Sequence, residues 1–238
     1  MRGTVRQCRH SPPPCAAEVF SMYRFSRSRS IRYLTATALL SAVASVLMML
    51  EFNVPFMPSF IKMDLSELPA LIAAFALGPT SGVLVCLIKN LVNVTMTMTG
   101  GVGELCNFLM GVCFVLPAGF FYRAHRTRRA ALLASVAGAV IMAIASVPLN
   151  YFIIYPIYAR LLPLDTIIGM YRAILPGVGG LLSCLLIFNL PFTLVKGLLD
   201  TLIAFLIYKP VVRALRAAKL MPSRPEAEKE DSARDHEV

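Results

Sequence analysis

The stretch YLTATALLSAVASVLMML, residues 33–50, runs for 18 residues without a charge. A helix of that length rises ~27 Å at ~1.5 Å per residue, close to the ~30 Å hydrocarbon core of a bilayer. A soluble domain would have to hide the whole run inside itself; a bilayer hides it directly. Further apolar segments follow, and with this one six fill residues 31 to 208. The chain of 238 residues is 57% hydrophobic, with a mean hydropathy of +0.70. Soluble domains are nearer ~45–50% apolar. The runs do not alternate polar with apolar residues, which argues against the ~10-residue strands of a closed membrane β-barrel. The expectation is an all-α membrane protein with six transmembrane helices, at about 31–51, 66–77, 80–97, 104–123, 130–158 and 190–213.

The charges place those helices. Of 23 Lys and Arg, seven lie at or before Arg32, four between Arg123 and Arg129, and seven from Lys209 onward. Cytoplasmic loops collect Lys and Arg in this way. Six crossings put both termini on one side, and all three basic clusters then fall on that side. Both termini are therefore expected to be cytoplasmic, in a plasma membrane. The net charge of +10 has this topological reading, and nucleic-acid binding is not expected, because the Arg residues lack interleaved aromatics. Residues 1–30 read as a disordered basic tail, 31–215 as the membrane domain and 216–238 as a disordered charged tail.

The segment expected at 66–77 is short and ends at Gly78-Pro79, a strong turn signal. Short helices at membrane depth occur where the backbone lines a cavity buried in protein. The loop before it carries Pro55, Pro58, Lys62 and Asp64 among aromatics, and is apolar enough to pack over something. Pro176-Gly177-Val178-Gly179-Gly180 breaks any helix, so residues 160–189 read as a re-entrant or external helical segment leading into the last span.

Intramembrane polar groups are costly and tend to mark function. The candidates are Asn90, Asn93, Glu104, Asn107, Asn150, Asn189, Thr193, Lys196 and Asp200. Residues 189, 193, 196 and 200 share one helical face. An Asn, a Thr, a Lys and an Asp on one face can line a pocket for a neutral ligand rich in hydrogen bonds. Alternatively, Lys196 and Asp200 pair within the helix. Six Cys without a CxxC pair and three His in polar segments imply no metal site, and no motif for chemistry is present. A transporter without an ATPase needs an ion gradient or a partner that hydrolyses ATP. Ala36, Ala38, Ser41, Ala42, Ala44 and Ser45 form a small-residue face that lets another helix approach closely.

Seven segments, taken in order, resemble one family. They are Leu40-Ser41-Ala42-Val43-Ala44, Met63-Asp64-Leu65-Ser66-Glu67-Leu68-Pro69-Ala70-Leu71, Gly78-Pro79 with Gly82-Val83, Ile88-Lys89-Asn90-Leu91, Gly103-Glu104-Leu105-Cys106-Asn107-Phe108-Leu109, Leu149-Asn150-Tyr151-Phe152 and Pro191-Phe192-Thr193-Leu194-Val195-Lys196-Gly197. Together they resemble the riboflavin-binding S component, the substrate-capture subunit, of energy-coupling factor (ECF) vitamin transporters, over residues 34 to 215. The resemblance implies a compact six-helix binding subunit with no ATPase activity and no cofactor, riboflavin being the transported ligand. It implies as partners a transmembrane coupling protein and two cytosolic ATPases. Asn150, Thr193 and Lys196 match flavin-contacting positions, Lys62 falls at a further contact position, and Asn107 and Asp64 complete the expected binding set. Ala38-x-x-x-Ala42 matches the motif that meets the coupling protein. An S component for another vitamin and a self-contained carrier using Lys196 and Asp200 as a proton relay are the competing readings.

Overall fold

The computed structural model describes residues 16–218 except 56, 59, 60, 98, 99, 126, 161 and 162. Helix α1 spans Ala16–Met49. A short antiparallel ribbon follows, β1 Phe52–Asn53 on β2 Lys62–Met63, with Phe52 opposite Met63 and Asn53 opposite Lys62. Then come α2 Glu67–Ala76, α3 Pro79–Val94, α4 Val102–Ala124 and α5 Arg128–Leu149. A π-helical turn, Asn150–Ile154, joins α5 to α6, Tyr155–Tyr158. Helix α7 spans Leu164–Ile174 and α8 Leu181–Cys184. A second π-helical turn, Leu185–Asn189, leads into α9, Leu190–Ala217.

Four stretches among the described residues are long and apolar enough to cross a bilayer: Ile31–Met49, Val102–Ala124, Arg128–Tyr158 and Leu181–Tyr208. Helices α2 and α3 are apolar but only 10 and 16 residues long. The last span differs from expectation. It starts at Leu181, not 190, because the Pro176–Gly180 breaker ends at Gly180 and the apolar run after it is helical at once. Residues 16–30, expected as part of a disordered tail, continue α1; no Gly or Pro interrupts residues 15–54. The rest of that tail, 1–15, and residues 219–238 lie outside the described residues.

Helix α2 is the axis of the bundle. Its residues from Glu67 to Ala74 are all buried, and it packs against α1, α3, α4 and α9. A helix that is apolar all round is one that neighbours surround. Leu40 and Ala44 of α1, Val85 of α3, Phe114 and Val115 of α4, Met142 of α5 and Ala204 of α9 enclose Leu68, Leu71 and Ala74. The outer faces carry bare apolar side chains, among them Leu34, Leu133, Phe152 and Leu206. That is the pattern of surfaces that meet lipid. Gly78, at φ 121°, makes the reversal from α2 into α3, and Pro79 opens α3 where its missing N–H costs nothing.

A buried ion pair ties α2 to α3. Lys89 Nζ donates to Glu67 Oε1 at 2.7 Å and to Ser66 Oγ at 2.5 Å. Both charged side chains are essentially inaccessible to solvent. The thiol of Cys86 lies 3.5 Å from Glu67 Oε2.

A second cluster sits at one end of the bundle. Tyr155, Ile167, Tyr171, Val178, Cys184, Leu185 and Phe188 pack together, and Met57 and Ile61 of the ribbon loop pack on them. The Tyr155 and Tyr171 hydroxyls are 2.7 Å apart. The loop before α2 thus covers something, as its apolar composition led us to expect, and α7 shares the task.

Two stability experiments follow from this packing. A Cβ at Gly138 would stand 2.6 Å from the Phe114 carbonyl oxygen, whereas at Gly169 it would meet open space. Gly138→Ala should cost about 1–3 kcal/mol, and Gly169→Ala should raise stability by up to ~1 kcal/mol. Thermal unfolding of the detergent-purified protein should show shifts of opposite sign. Glu67→Leu alone or Lys89→Met alone should cost about 3–5 kcal/mol by leaving one buried charge unpaired. The double variant should regain most of that loss in the same assay.

Candidate functional site

Between the two clusters lies a group of buried polar side chains drawn from four elements. Lys196 on α9 donates to Asp64 Oδ2 at 2.9 Å and reaches Asn107 Oδ1 on α4 at 3.5 Å. Asp64 stands just before α2. Its Oδ1 accepts the backbone N–H of Ser66 at 2.9 Å and also the Ser66 hydroxyl, an Asp-led turn that fixes the carboxylate. Because Ser66 also accepts from Lys89, the polar chain runs unbroken from Lys196 through Asp64, Ser66 and Lys89 to Glu67. Burial alone would push the Asp64 carboxyl up, but the Lys196 and Lys89 ammoniums outweigh it and hold the group well below the ordinary carboxylate range.

Asn150 closes the group on the α5 side. Its amide donates to the Ser146 carbonyl at 2.8 Å, and its Oδ1 faces the Cys106 thiol at 3.4 Å. Cys106 precedes Asn107 on α4, so the two Asn residues are neighbours through that helix. The amide of Asn107 also lies 3.9 Å from Met48 Sδ on α1. Thr193, buried on the Lys196 face of α9, donates its hydroxyl to the Asn189 carbonyl at 2.7 Å.

The two π-helical turns flank this group. The N–H of Tyr155 donates to the Asn150 carbonyl and that of Leu190 to the Leu185 carbonyl, five residues back in each case. A proline follows each turn by two residues, Pro156 after Ile154 and Pro191 after Asn189. Proline supplies no N–H to the carbonyl four residues earlier and its ring presses on it, so the ladder re-pairs one residue wider. Such bulges often occur at functional sites. Here they put Asn150 at the start of one and Asn189, itself buried, at the end of the other. The NYFIIYP and NLP stretches carried this signal, but periodicity alone does not reveal it.

The structure therefore brings Lys196, Asp64 and Asn107 into direct contact, with Asn150 and Thr193 beside them. Lys62 stands apart. It lies in β2, partly exposed, paired with Glu51, and bonds to none of the buried group. The intrahelical pair of Lys196 with Asp200 does not form. Asp200 is fully buried and neither carboxylate oxygen has a hydrogen-bond partner. The small-residue face of α1 divides. Ala36, Thr37, Ser41, Ala44 and Ser45 face the bundle, whereas Ala38 and Ala42 face outward.

An open groove of about 380 Å³ adjoins the first π turn, lined by Tyr151, Phe152, Tyr155, Pro156, Ala159, Leu164 and Leu181, of which Tyr151, Phe152, Pro156, Ala159 and Leu164 are exposed on the outer face. Its walls are aromatic and aliphatic, and none of the ion-paired residues lines it. In the polar group Lys196 is matched by Asp64 and Lys89 by Glu67, and the groove lies on the outer side of the turn that Asn150 begins. Among the described residues, no group of three His, Cys, Asp or Glu could hold a metal ion.

Comparison with known proteins bears on this arrangement. A family model described as ECF transporter, substrate-specific component, matches residues 32–208. The riboflavin transporter RibU of Staphylococcus aureus (strain TCH60) is 32% identical over 183 residues, covering 77% of this chain and 92% of the relative. The riboflavin transporter FmnP of Bacillus subtilis (strain 168) is 31% identical over 198 residues, covering 80% and 98%. The solved structure of an S component of a bacterial ECF transporter superposes with a TM-score of 0.63 at 31% identity, covering 78% of this chain and 98% of that one. The chain belongs to the family of substrate-specific S components of ECF transporters.

Proposed function

We propose that this protein captures riboflavin outside the cell and passes it inward with an ATP-driven energy-coupling module. The observation that supports the reading is the grouping of buried Asn150, Thr193 and Lys196 with half-buried Asn107 inside the bundle. Relatives that cover most of their length with this chain are riboflavin transporters. Flavin is neutral, with a flat apolar ring and a polyol tail. Apolar walls suit the ring, and amides, a hydroxyl and an ammonium suit the tail and the ring's polar edge. Lys196 acts as a hydrogen-bond donor rather than as a counter-charge.

Six crossings, with α2 and α3 completing the four long spans, put both termini and the basic 123–129 loop in the cytoplasm. The partners are a transmembrane coupling protein and two cytosolic ATPases. Ala38 and Ala42, outward on α1 among exposed Leu34, Leu39 and Val46, give the coupling protein a surface where a helix packs closely.

Purification followed by an absorption spectrum tests the ligand, since a retained flavin colours the protein yellow. Riboflavin that neither co-purifies nor quenches on titration would overturn the reading. A buried bond from a charged donor contributes ~1.5–3 kcal/mol, or roughly 10- to 150-fold in affinity. Lys196→Ala and Asn150→Ala should each weaken riboflavin binding by at least the lower figure, and Lys196→Met should resemble Lys196→Ala. Near-native affinity of both Lys196 variants would remove Lys196 from the site. Ala38→Trp with Ala42→Trp should abolish cellular uptake while the isolated subunit still binds; loss of both would place these alanines in the subunit's own packing.

A further inference from the structure

Helix α1 is longer than a membrane crossing requires. It runs from Ala16 to Met49, whereas the part of it suited to a bilayer is Ile31–Met49. Residues 16–30 form a helical arm that continues the span without a break. This arm also stands outside the family match, which begins at residue 32, so the likeness to S components assigns it no role.

The charges on the arm are unevenly placed. Arg24, Arg27, Arg29 and Arg32 fall within positions 24–32, with no acid among them. Residues 16–23 hold no Lys or Arg, and Glu18 is their one acid. At ~1.5 Å per residue, Arg24 is about 10 Å along the helix from Ile31, and the other three are nearer. The attraction of an anionic membrane surface fades over a Debye length, ~10 Å at 0.1 M salt. A helix continuous with the span cannot carry Arg24 farther out than that, whichever way the arm leans. The four arginines are therefore confined to the layer in which lipid headgroups are felt. A nucleic acid or a protein in the aqueous phase would be met first by the distal residues, which carry no positive charge.

We propose that the arm of α1 is a docking surface for anionic phospholipid headgroups, held at the bilayer surface by Arg24, Arg27, Arg29 and Arg32. The basic clusters as a whole have a topological meaning; this one has in addition a lipid partner, because a helix fixes its distance from the membrane. Docked in this way, the arm sets the depth and tilt at which α1 enters the bilayer. The proposal is independent of the flavin reading.

Hydrogen exchange of the full chain in vesicles tests it, with phosphatidylcholine alone compared with phosphatidylcholine mixed with phosphatidylglycerol. A short helix without packing frays in water, and one held at a surface opens less often and exchanges more slowly. Each basic residue near an anionic surface is worth about fivefold in binding. The amides of residues 16–30 should exchange at least roughly tenfold more slowly in the mixed vesicles. The difference should vanish at ~1 M salt, where the Debye length falls to ~3 Å. Arg24→Gln, Arg27→Gln and Arg29→Gln combined should remove the slowing, and lysine at the same three positions should keep most of it. The amides of α4, inside the bundle, are the reference and should exchange alike in both lipids. Equal exchange of the arm in the two lipids overturns the proposal, as does a slowing that survives high salt or the glutamine variant. Slowing caused by added RNA or by added soluble protein in phosphatidylcholine, and not by phosphatidylglycerol, would assign the arm to that partner and overturn it too. Should the glutamine variant fail to fold, the wild type in two lipids at low and high salt decides alone.

Discussion

Two lysines buried in a protein that sits in lipid define what the rest of the structure must do. A lone ammonium in such surroundings is costly, so each has to be met by a carboxylate at hydrogen-bonding distance. Lys89 and Lys196 come from different helices, α3 and α9, and their partners Glu67 and Asp64 lie three residues apart at the start of α2. That geometry forces α2 into the centre, between the two helices it neutralises. Its complete burial from Glu67 to Ala74, its short length and the small residues of the surrounding helices all serve this placement. Ser66, between the two carboxylates in sequence and in space, joins the pairs into one polar chain.

The same arrangement relates the core to the site. One end of the chain, Glu67–Lys89, is wholly inside and works as a clamp. The other, Asp64–Lys196, reaches Asn107 and borders the aromatic cluster built by α7, the second π turn and the ribbon loop. The candidate site and the core therefore use neighbouring members of one hydrogen-bonded series. A change in position of Asp64 must be felt at Ser66, and through it at Lys89.

Much of this was legible in the residues. Uncharged runs marked the long helices, Gly78-Pro79 marked the α2–α3 reversal, and the spacing of 189, 193, 196 and 200 marked four residues that are all buried along the last span. The partner of Lys196 was not legible. Asp200, four residues on, satisfies a local rule, yet Asp64, 132 positions away, wins because α2 is held against α9. Spacing within one helix carries no information about a carboxylate delivered by another. Lys62 was expected in the site on resemblance alone, and the ribbon turns it toward Glu51 instead. The start of the last span was misplaced because the apolar residues from Leu181 to Phe188 were assigned to a separate re-entrant or external helical segment, whereas they wind straight into α9. The π turns escaped because hydrophobic periodicity averages over a single widened turn.

Those widened turns have a consequence for how the chain tolerates change in length. A π turn holds one residue more than the α turn it replaces, an offset of about 100° in phase. Asn150–Ile154 and Leu185–Asn189 therefore act as slack in two otherwise rigid rods. Deleting one residue inside either turn lets the helix revert to regular winding while the side chains on both sides keep their facing. Deleting a residue anywhere else in the same helices offers no such reserve. Natural loss of single residues among relatives should thus gather at these two turns, where the packing faces on both sides stay in place.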